Sequence, residues 1–468
     1  MNFKYKNFKI KKCAVFMLTF MFCLSSILIC SNVLATTAVV QSNLSTNSAT
    51  SQNIQDSQII QVPDIKMPEI LSESAYLMDS SSSKVLYSKA ETEKRYPAST
   101  TKIVTAIIAL ENCKLDDIVT VPYEAISNIP SGYSIADLRA GEELTMEQVL
   151  ELLLVHSAND AANIIAYHIS GSIESFATLM NQKVNELGLT NTHFTNPSGI
   201  HNEDHYTTAY DLAKIMQYCM KNANFRKLAG LPSCTIPATN KHEERTFKST
   251  DDLVIPNSSN SKYNYYYKYA VAGKTGYTSE AKNCLVSCAN KDGFELICVV
   301  LSVGSYAGNV SGRFTDTKTL YDFAYNNYII RKLNNKNDII TQIEIKNGSK
   351  DTKNLDLLAA NDISALIPQD NLNTEYQPQI ELNSNLYAPI AYGQVVGKVT
   401  YNINGDEYSS DLIASHNVEI SGFFKIVIRI ILITVILYLL YKILSSENKK
   451  SKKKKYKGYY RNYKKNKR

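Results

Sequence analysis

Two long apolar runs bracket this chain and limit what can fold between them. One extends from Cys13 to Cys30 behind Lys4, Lys6, Lys9, Lys11 and Lys12; the other is Phe423–Leu444, ahead of a tail with 12 Lys+Arg in residues 449–468. The first has the layout of a secretory signal, with a basic start, an apolar stretch and a small-residue end at Val33-Leu34-Ala35. It predicts a leader over residues 1–35, removed before Thr36. An uncleaved anchor is the alternative. Cys30 follows Ile29, too bulky for a lipoprotein-type cleavage, so no lipidated cysteine is expected. The second run has 22 residues, enough at about 1.5 Å each to cross a hydrocarbon core. Ile430–Tyr441 is apolar all round, which predicts a spanning helix over 423–444 rather than an interfacial anchor. The positive-inside rule then places the basic tail, 445–468, in the cytoplasm and the bulk of the chain on the other side.

Charge is segregated in the same way. The formal net charge is +6, yet residues 36–422 hold 30 basic and 43 acidic side chains, a net of −13. An acidic body with basic ends argues against a nucleic-acid partner. Residues 36–65 are rich in Ser, Thr, Asn and Gln without aromatics, as a flexible linker is. Six cysteines remain after the leader: Cys113, Cys219, Cys234, Cys284, Cys288 and Cys298. They form no C-x-x-C and no dense framework, so buried free thiols are expected, with one or two bridges as the alternative.

Within the body, Ala75–Asp79 and Lys84–Tyr87 flank four serines and read as a hairpin. From Thr101, apolar residues at Ile103, Ala106, Ile107 and Leu110 have helical spacing. Residues 114–145 carry turn residues and read as a surface excursion. Met146–Val155 and Ala161–Ile169 read as two apolar helices, and further helices are expected at 173–188, 208–220 and about 315–332. Cys284–Cys288 and Leu296–Val303 read as strands joined by a turn at Asn290–Gly293. The tyrosines of Tyr263–Tyr269 read as a half-buried strand or a cleft wall. From 338 short alternating strands are expected, at Ile339–Ile345, Ile363–Pro368, Val395–Tyr401 and Glu407–Leu412, as a separate β-rich domain over 338–418.

Three short motifs carry the chemistry. Ser99 and Lys102 stand three apart where Pro97 leads into a helix, a separation that stacks two side chains one turn apart. A serine hydroxyl is a weak nucleophile that needs a base in reach, and a lysine serves once burial or a neighbouring cation lowers its pKa. Ser157-x-Asn159 lies between the two apolar helices. Capping of the second helix by Ser157, Asn159 or Asp160 is the simple reading; the other is a loop that presents a hydroxyl and an amide into a cleft. In Lys274-Thr275-Gly276 a cation and a hydroxyl together suit a carboxylate, and the glycine suits a close backbone approach on an edge strand. His201 and His205 with Glu203 and Asp204 lack the spacing of a zinc helix and sit in a Pro-Gly context, so a loop without metal is expected.

The three motifs in this order are the active-site set of penicillin-recognising serine enzymes. With YLMDSSSSKVLYSKAETEKRYPASTTKIVTA, LLLVHSANDAANIIA, MNQKVNELGLTNTHFTNPSGI, HYTTAYDLAKIM and GKTGYTSEAKNCLVSCA, the chain resembles the D-alanyl-D-alanine carboxypeptidases, the low-molecular-mass penicillin-binding proteins. LYAPIAYGQVVGKVTY resembles that family's C-terminal β domain. The resemblance implies an α+β fold: a transpeptidase domain of the penicillin-binding-protein and β-lactamase type over 66–332, with an antiparallel sheet flanked by helices plus a helical lobe. A small all-β domain and a transmembrane helix would follow. It implies that Ser99 is the acyl-ester nucleophile, Lys102 the proton acceptor and Ser157 the proton relay. It implies that Asn159, Lys274, Thr275, Gly276 and Tyr277 bind substrate, the last through an oxyanion N–H shared with Ser99. The substrates implied are peptidoglycan stem peptides ending in D-Ala-D-Ala, with β-lactams as covalent inhibitors, no cofactor, and a single-pass protein of the bacterial cell membrane facing the wall. Ala158 stands where the family usually has Gly or Asp. A D,D-endopeptidase, a β-lactamase and a non-catalytic wall-binding protein are the competing readings. No Glu-x-x-x-Asn between Asn159 and Lys274 supplies the deacylating acid of a class A β-lactamase.

Overall fold

Alternation along Ser74–Asp79 (β1) sends Ala75 and Leu77 to one face of a sheet and Tyr76 and Met78 to the other, and both faces are buried. The computed structural model describes residues 65–256, 263–308 and 310–465; the expected leader and nearly all of the linker lie outside them. β1 pairs with Val85–Lys89 (β2), the expected hairpin. Three later strands complete the sheet: Ala270–Thr278 (β3), Lys282–Lys291 (β4) and Phe294–Val303 (β5). The order is β2-β1-β5-β4-β3, antiparallel where registers are defined, so β3 is an edge strand. Asp292 and Gly293, at φ 53° and 89°, make the turn between β4 and β5, the left-handed pair a tight hairpin requires.

Helices cover both faces. On one side lie Lys102–Asn112 (α1), Met146–Leu154 (α2), Asn159–Ser170 (α3), Ile173–Glu186 and Ala209–Cys219, sharing a core with Tyr76, Met78, Val286 and Val299. On the other lies Gly312–Asn327 (α4), whose Phe314, Leu320 and Tyr321 pack with Leu77, Leu285 and Val300. Tyr263–Tyr269 is not a strand; it is a loop whose Tyr265 and Tyr267 rings pack on Phe314 and Tyr321. The helix expected to reach 332 ends at Asn327, because Tyr328–Asn334 leaves it as a strand. That strand pairs with Ile363–Pro368, and Leu366 joins the core beneath α4. The expected strand Ile363–Pro368 is present, and it pairs with Tyr328–Asn334 in a two-stranded sheet of its own. All six cysteines of the described residues are free, five of them buried.

The described residues divide into two compact units. One runs to Leu333 and takes in Ser364–Glu375; the other combines Asn334–Ile363 with the chain from Tyr376. The second unit holds an antiparallel sheet in the order Ile339–Glu344, Asn354–Ala359, Asp406–Ala414, Val395–Ile403, Gln379–Leu382. Its last element is the helix Gly422–Lys465 (α5). Within α5, Gly422–Ser446 is long and apolar enough to cross a membrane.

Candidate active site

Ala98–Thr101 form a single 3₁₀ turn, and α1 starts only at Lys102. A 3₁₀ turn has three residues per turn, so positions i and i+3 eclipse. That brings Lys102 directly over Ser99, with Nζ donating to Oγ at 2.8 Å. The same Nζ donates at 2.8 Å to Asn159 Oδ1 and at 2.8 Å to the Ser198 carbonyl. Lys102 is fully buried. Desolvation, reinforced by the Lys274 charge and opposed by Asp160, holds its pKa well below the ordinary lysine range.

The second motif sits at the α2–α3 junction. A capping box, with Thr145 Oγ1 accepting from the Gln148 N–H and Gln148 Oε1 accepting from the Thr145 N–H, fixes the start of α2. After α2, Ser157 turns through φ +64°, and α3 begins at Asn159. Side-chain capping by Ser157 or Asn159 is absent among the described residues, since the N-cap is Ala158. Asp160 accepts instead from the N–H groups of Ala136, Leu138 and Ala161. Asn159 receives Lys102 on its oxygen and donates to the Ser134 carbonyl at 2.9 Å.

The third motif runs along the edge strand. Lys274 Nζ donates to Ser157 Oγ at 2.9 Å and to the Thr275 carbonyl at 2.9 Å. Burial, with Arg313 adding to it and Asp251 opposing, pulls its pKa down to about 7. The Thr275 hydroxyl donates to Thr250 Oγ1 at 2.6 Å. Gly276 faces the Ser99 turn: a Cβ there would stand 2.8 Å from the Pro97 carbonyl and 3.1 Å from the Ser99 nitrogen. Only a glycine lets β3 run this close. Tyr277, next along, is exposed. The structure therefore brings all eight sequence-selected residues, from three distant stretches, to one edge of the sheet.

Several participants were not selected from the sequence. Asn196 Oδ1 accepts from the N–H groups of Ser198, Gly199 and Ile200, and this curl aims the Ser198 carbonyl at Lys102. Gly199, at φ +83°, lies where a Cβ would fall 1.9 Å from the Ala98 carbonyl. His205 is committed to the same brace. Its Nδ1 accepts from the Thr195 N–H, so Nε2 carries the proton given to Thr101 Oγ1 at 2.8 Å, and burial drops its pKa to about 3. His201 packs edge-on to Tyr96. Beneath β3, Asp251 is buried against Gly273 with Oδ1 accepting from the Leu253 N–H, and burial raises its pKa to about 6. Arg313, in the first turn of α4, donates to the Gly276 carbonyl at 3.3 Å. An Asn ahead of Pro-x-Gly was the one available signal for the brace, since such an Asn folds its own loop.

The site combines a hydroxyl held by a buried amine, a second hydroxyl held by a second buried amine, and a bare strand edge between them. Comparisons with known proteins fit that arrangement. The family profile described as D-alanyl-D-alanine carboxypeptidase matches residues 61–305, and that of the penicillin-binding protein 5 C-terminal domain matches 328–419. The D-alanyl-D-alanine carboxypeptidase DacF of Bacillus subtilis is 32% identical over 365 residues, covering 76% of this chain and 88% of that protein. DacC of Escherichia coli, of the same description, is 29% identical over 371 residues, 77% of this chain and 87% of that protein. The crystal structure of penicillin-binding protein 5 from Haemophilus influenzae superposes with a TM-score of 0.61 at 27% identity, covering 76% of this chain and 99% of that one.

Proposed function

The chain belongs to the D-alanyl-D-alanine carboxypeptidase family of serine peptidases, and on that premise we propose how its own residues divide the reaction. Ser99 is the nucleophile and Lys102 its base. The observation that carries this is the set of partners around Lys102. Two of the three, the Asn159 and Ser198 oxygens, can only accept, whereas the Ser99 hydroxyl can also donate. A neutral amine has two N–H groups and one lone pair. With the N–H groups given to the two carbonyl oxygens, the lone pair faces the Ser99 proton.

Ser99 then attacks the carbonyl of the penultimate D-alanine of a stem peptide, and Lys102 takes its proton. Ser157 accepts from Lys274, which leaves its own proton to pass to the departing D-alanine nitrogen, and the proton that Lys102 took from Ser99 replaces it. Lys274 keeps one N–H beyond its two internal bonds, and the Thr275 hydroxyl can turn, so both serve the terminal carboxylate. Asn159 retains one N–H and one lone pair for the peptide amide. Gly276 and Tyr277 offer backbone, with the N–H groups of Ser99 and Tyr277 holding the oxyanion. Water completes hydrolysis of the acyl-enzyme. The span Gly422–Ser446 tethers the enzyme to the cell membrane, catalytic residues toward the wall and basic tail in the cytoplasm.

The test is mass spectrometry after exposure to penicillin. The adduct is expected on the peptide that contains Ser99, and it is expected to persist while D-alanine release from a diacetyl-Lys-D-Ala-D-Ala peptide is blocked. An adduct on Ser157, or rapid penicillin turnover with recovery of peptide cleavage, would overturn the assignment.

A further inference from the structure

The catalytic reading uses nothing after Ser446. Residues 449–468 contain no Ile, Leu, Val, Phe or Met and no acid, only Lys, Arg, Tyr, Ser, Asn and Gly. The four tyrosines are not scattered: Tyr456, Tyr459, Tyr460 and Tyr463 occur at i, i+3, i+4 and i+7. α5 continues through Lys465, so these positions share one helix face. Tyr456, Tyr459 and Tyr460 are 74%, 83% and 75% exposed, so nothing among the described residues covers them. Lys453, Lys457, Arg461 and Lys465 follow one another at i, i+4 on the flank. Like charges at that spacing repel along a helix in water, and an external negative surface turns the repulsion into binding.

The position supplies that surface. The segment begins seven residues beyond the apolar stretch Gly422–Ser446. α5 has 44 residues, or roughly 66 Å at the helical rise against a hydrocarbon core of about 30 Å. The excess must project into water or lie down. At the end of the apolar stretch, Ser445 Oγ donates back to the Lys442 carbonyl at 2.9 Å and Ser446 Oγ to the Ile443 carbonyl at 2.8 Å. Such back-bonding serines bend helices.

We propose that residues 453–465 form an interfacial helix that lies on the bilayer leaflet where the span emerges. Its tyrosine rings sit at the boundary between headgroups and acyl chains, and its lysines and arginine meet the phosphates of anionic lipid. Tyrosine is suited to that depth because its ring is apolar and its hydroxyl is not. The inference rests on reading Gly422–Ser446 as a span, and holds for either orientation of that span.

The chain has no tryptophan, so one introduced residue is a clean reporter in the full-length protein. In vesicles of phosphatidylcholine mixed with phosphatidylglycerol, Tyr459→Trp is expected to emit at short wavelength. It should be quenched by lipids brominated high on the acyl chain and be protected from aqueous iodide. Lys457→Trp, on the charged flank, is expected to show the reverse preference. Equal quenching of the two variants overturns the proposal, as does a Tyr459→Trp indole that is open to iodide and blind to brominated lipid. Leu437→Trp separates the premise from the inference. If the Leu437→Trp indole is quenched deep in the bilayer while that of Tyr459→Trp is exposed to water, the interfacial helix alone is removed. If the Leu437→Trp indole is not quenched by lipid, the span falls and the proposal with it.

Discussion

Lys102 and Ser99 meet across 2.8 Å because the turn between them is 3₁₀ rather than α. The proposed base is thus positioned by backbone geometry, with the Asn159 and Ser198 oxygens fixing its other bonds. Lys102→Ala is expected to slow acylation by roughly 10²–10⁴-fold. Stopped-flow labelling with a fluorescent penicillin measures it, and circular dichroism checks the fold. Acylation within tenfold of the parent rate would mean that another group takes the proton.

In the proposed reaction the two buried lysines are needed in opposite states. Lys102 must lose its proton to act, and burial with the neighbouring Lys274 charge holds its pKa well below the ordinary value. Lys274 must keep its proton to hold a carboxylate, and its pKa is about 7. The profile of kcat/KM is therefore expected to rise with pH through the Lys102 ionisation and fall above about 7 as Lys274 is neutralised. A substrate whose terminal carboxylate is replaced by an amide should lose the falling limb. A falling limb identical for both substrates would separate it from Lys274.

Ser157 holds φ +64°, a left-handed conformation that suits glycine better than serine. Ser157→Gly is expected to change stability by less than about 1 kcal/mol, because relief of the left-handed backbone is offset by the hydrogen bond that buried Lys274 loses, and to lower peptidase activity by roughly 10²-fold or more. Urea unfolding and D-alanine release read the two effects on one sample. A glycine variant that retained full activity would remove the proton-relay role.

Asp251 puts a stability cost at the floor of the site. Its folded pKa is about 6 against an ordinary 3.8, so the folded state binds the proton more tightly. Stability consequently falls as pH rises from 3.8 through about 6, and the loss is complete at neutral pH. Asp251→Asn, which keeps the acceptor for the Leu253 N–H, is expected to gain about 1–3 kcal/mol at neutral pH. The gain should shrink toward 3.8, the ordinary carboxyl value. The same change removes a charge that supports the Lys274 proton, so the falling limb of kcat/KM should move to lower pH. Unfolding curves across this range, with a parallel rate profile, decide both points.

Much of this site was legible in the amino-acid order because its parts have local signatures. Ser99 and Lys102 lie within one turn, Ser157 and Asn159 mark a polar break between two apolar helices, and Gly276 marks a strand that admits no side chain. The same signatures misled where tertiary packing competed with them. Ser157 and Asn159 look like caps, yet their side chains turn inward to the lysines. Ile363–Pro368 reads correctly as a strand, but no local pattern names Tyr328–Asn334 as its partner. The Ser198 carbonyl has no signature at all, since every residue carries one and only the Asn196 curl aims it. Arg313 and Asp251 act through long-range burial beneath β3, which no local spacing records.

The free thiols have a consequence for how this protein matures. Cys219, Cys234, Cys284, Cys288 and Cys298 are interior packing groups, and burial raises Cys284 to about 11 and Cys234 to about 12, with the rest also elevated. Thiolate, the species that would exchange or be oxidised, is scarce in all of them at neutral pH. Among the described residues the fold holds without a disulfide, so no oxidant or isomerase is needed to set pairings there. The described residues are therefore expected to pack alike in a reducing and in an oxidising setting.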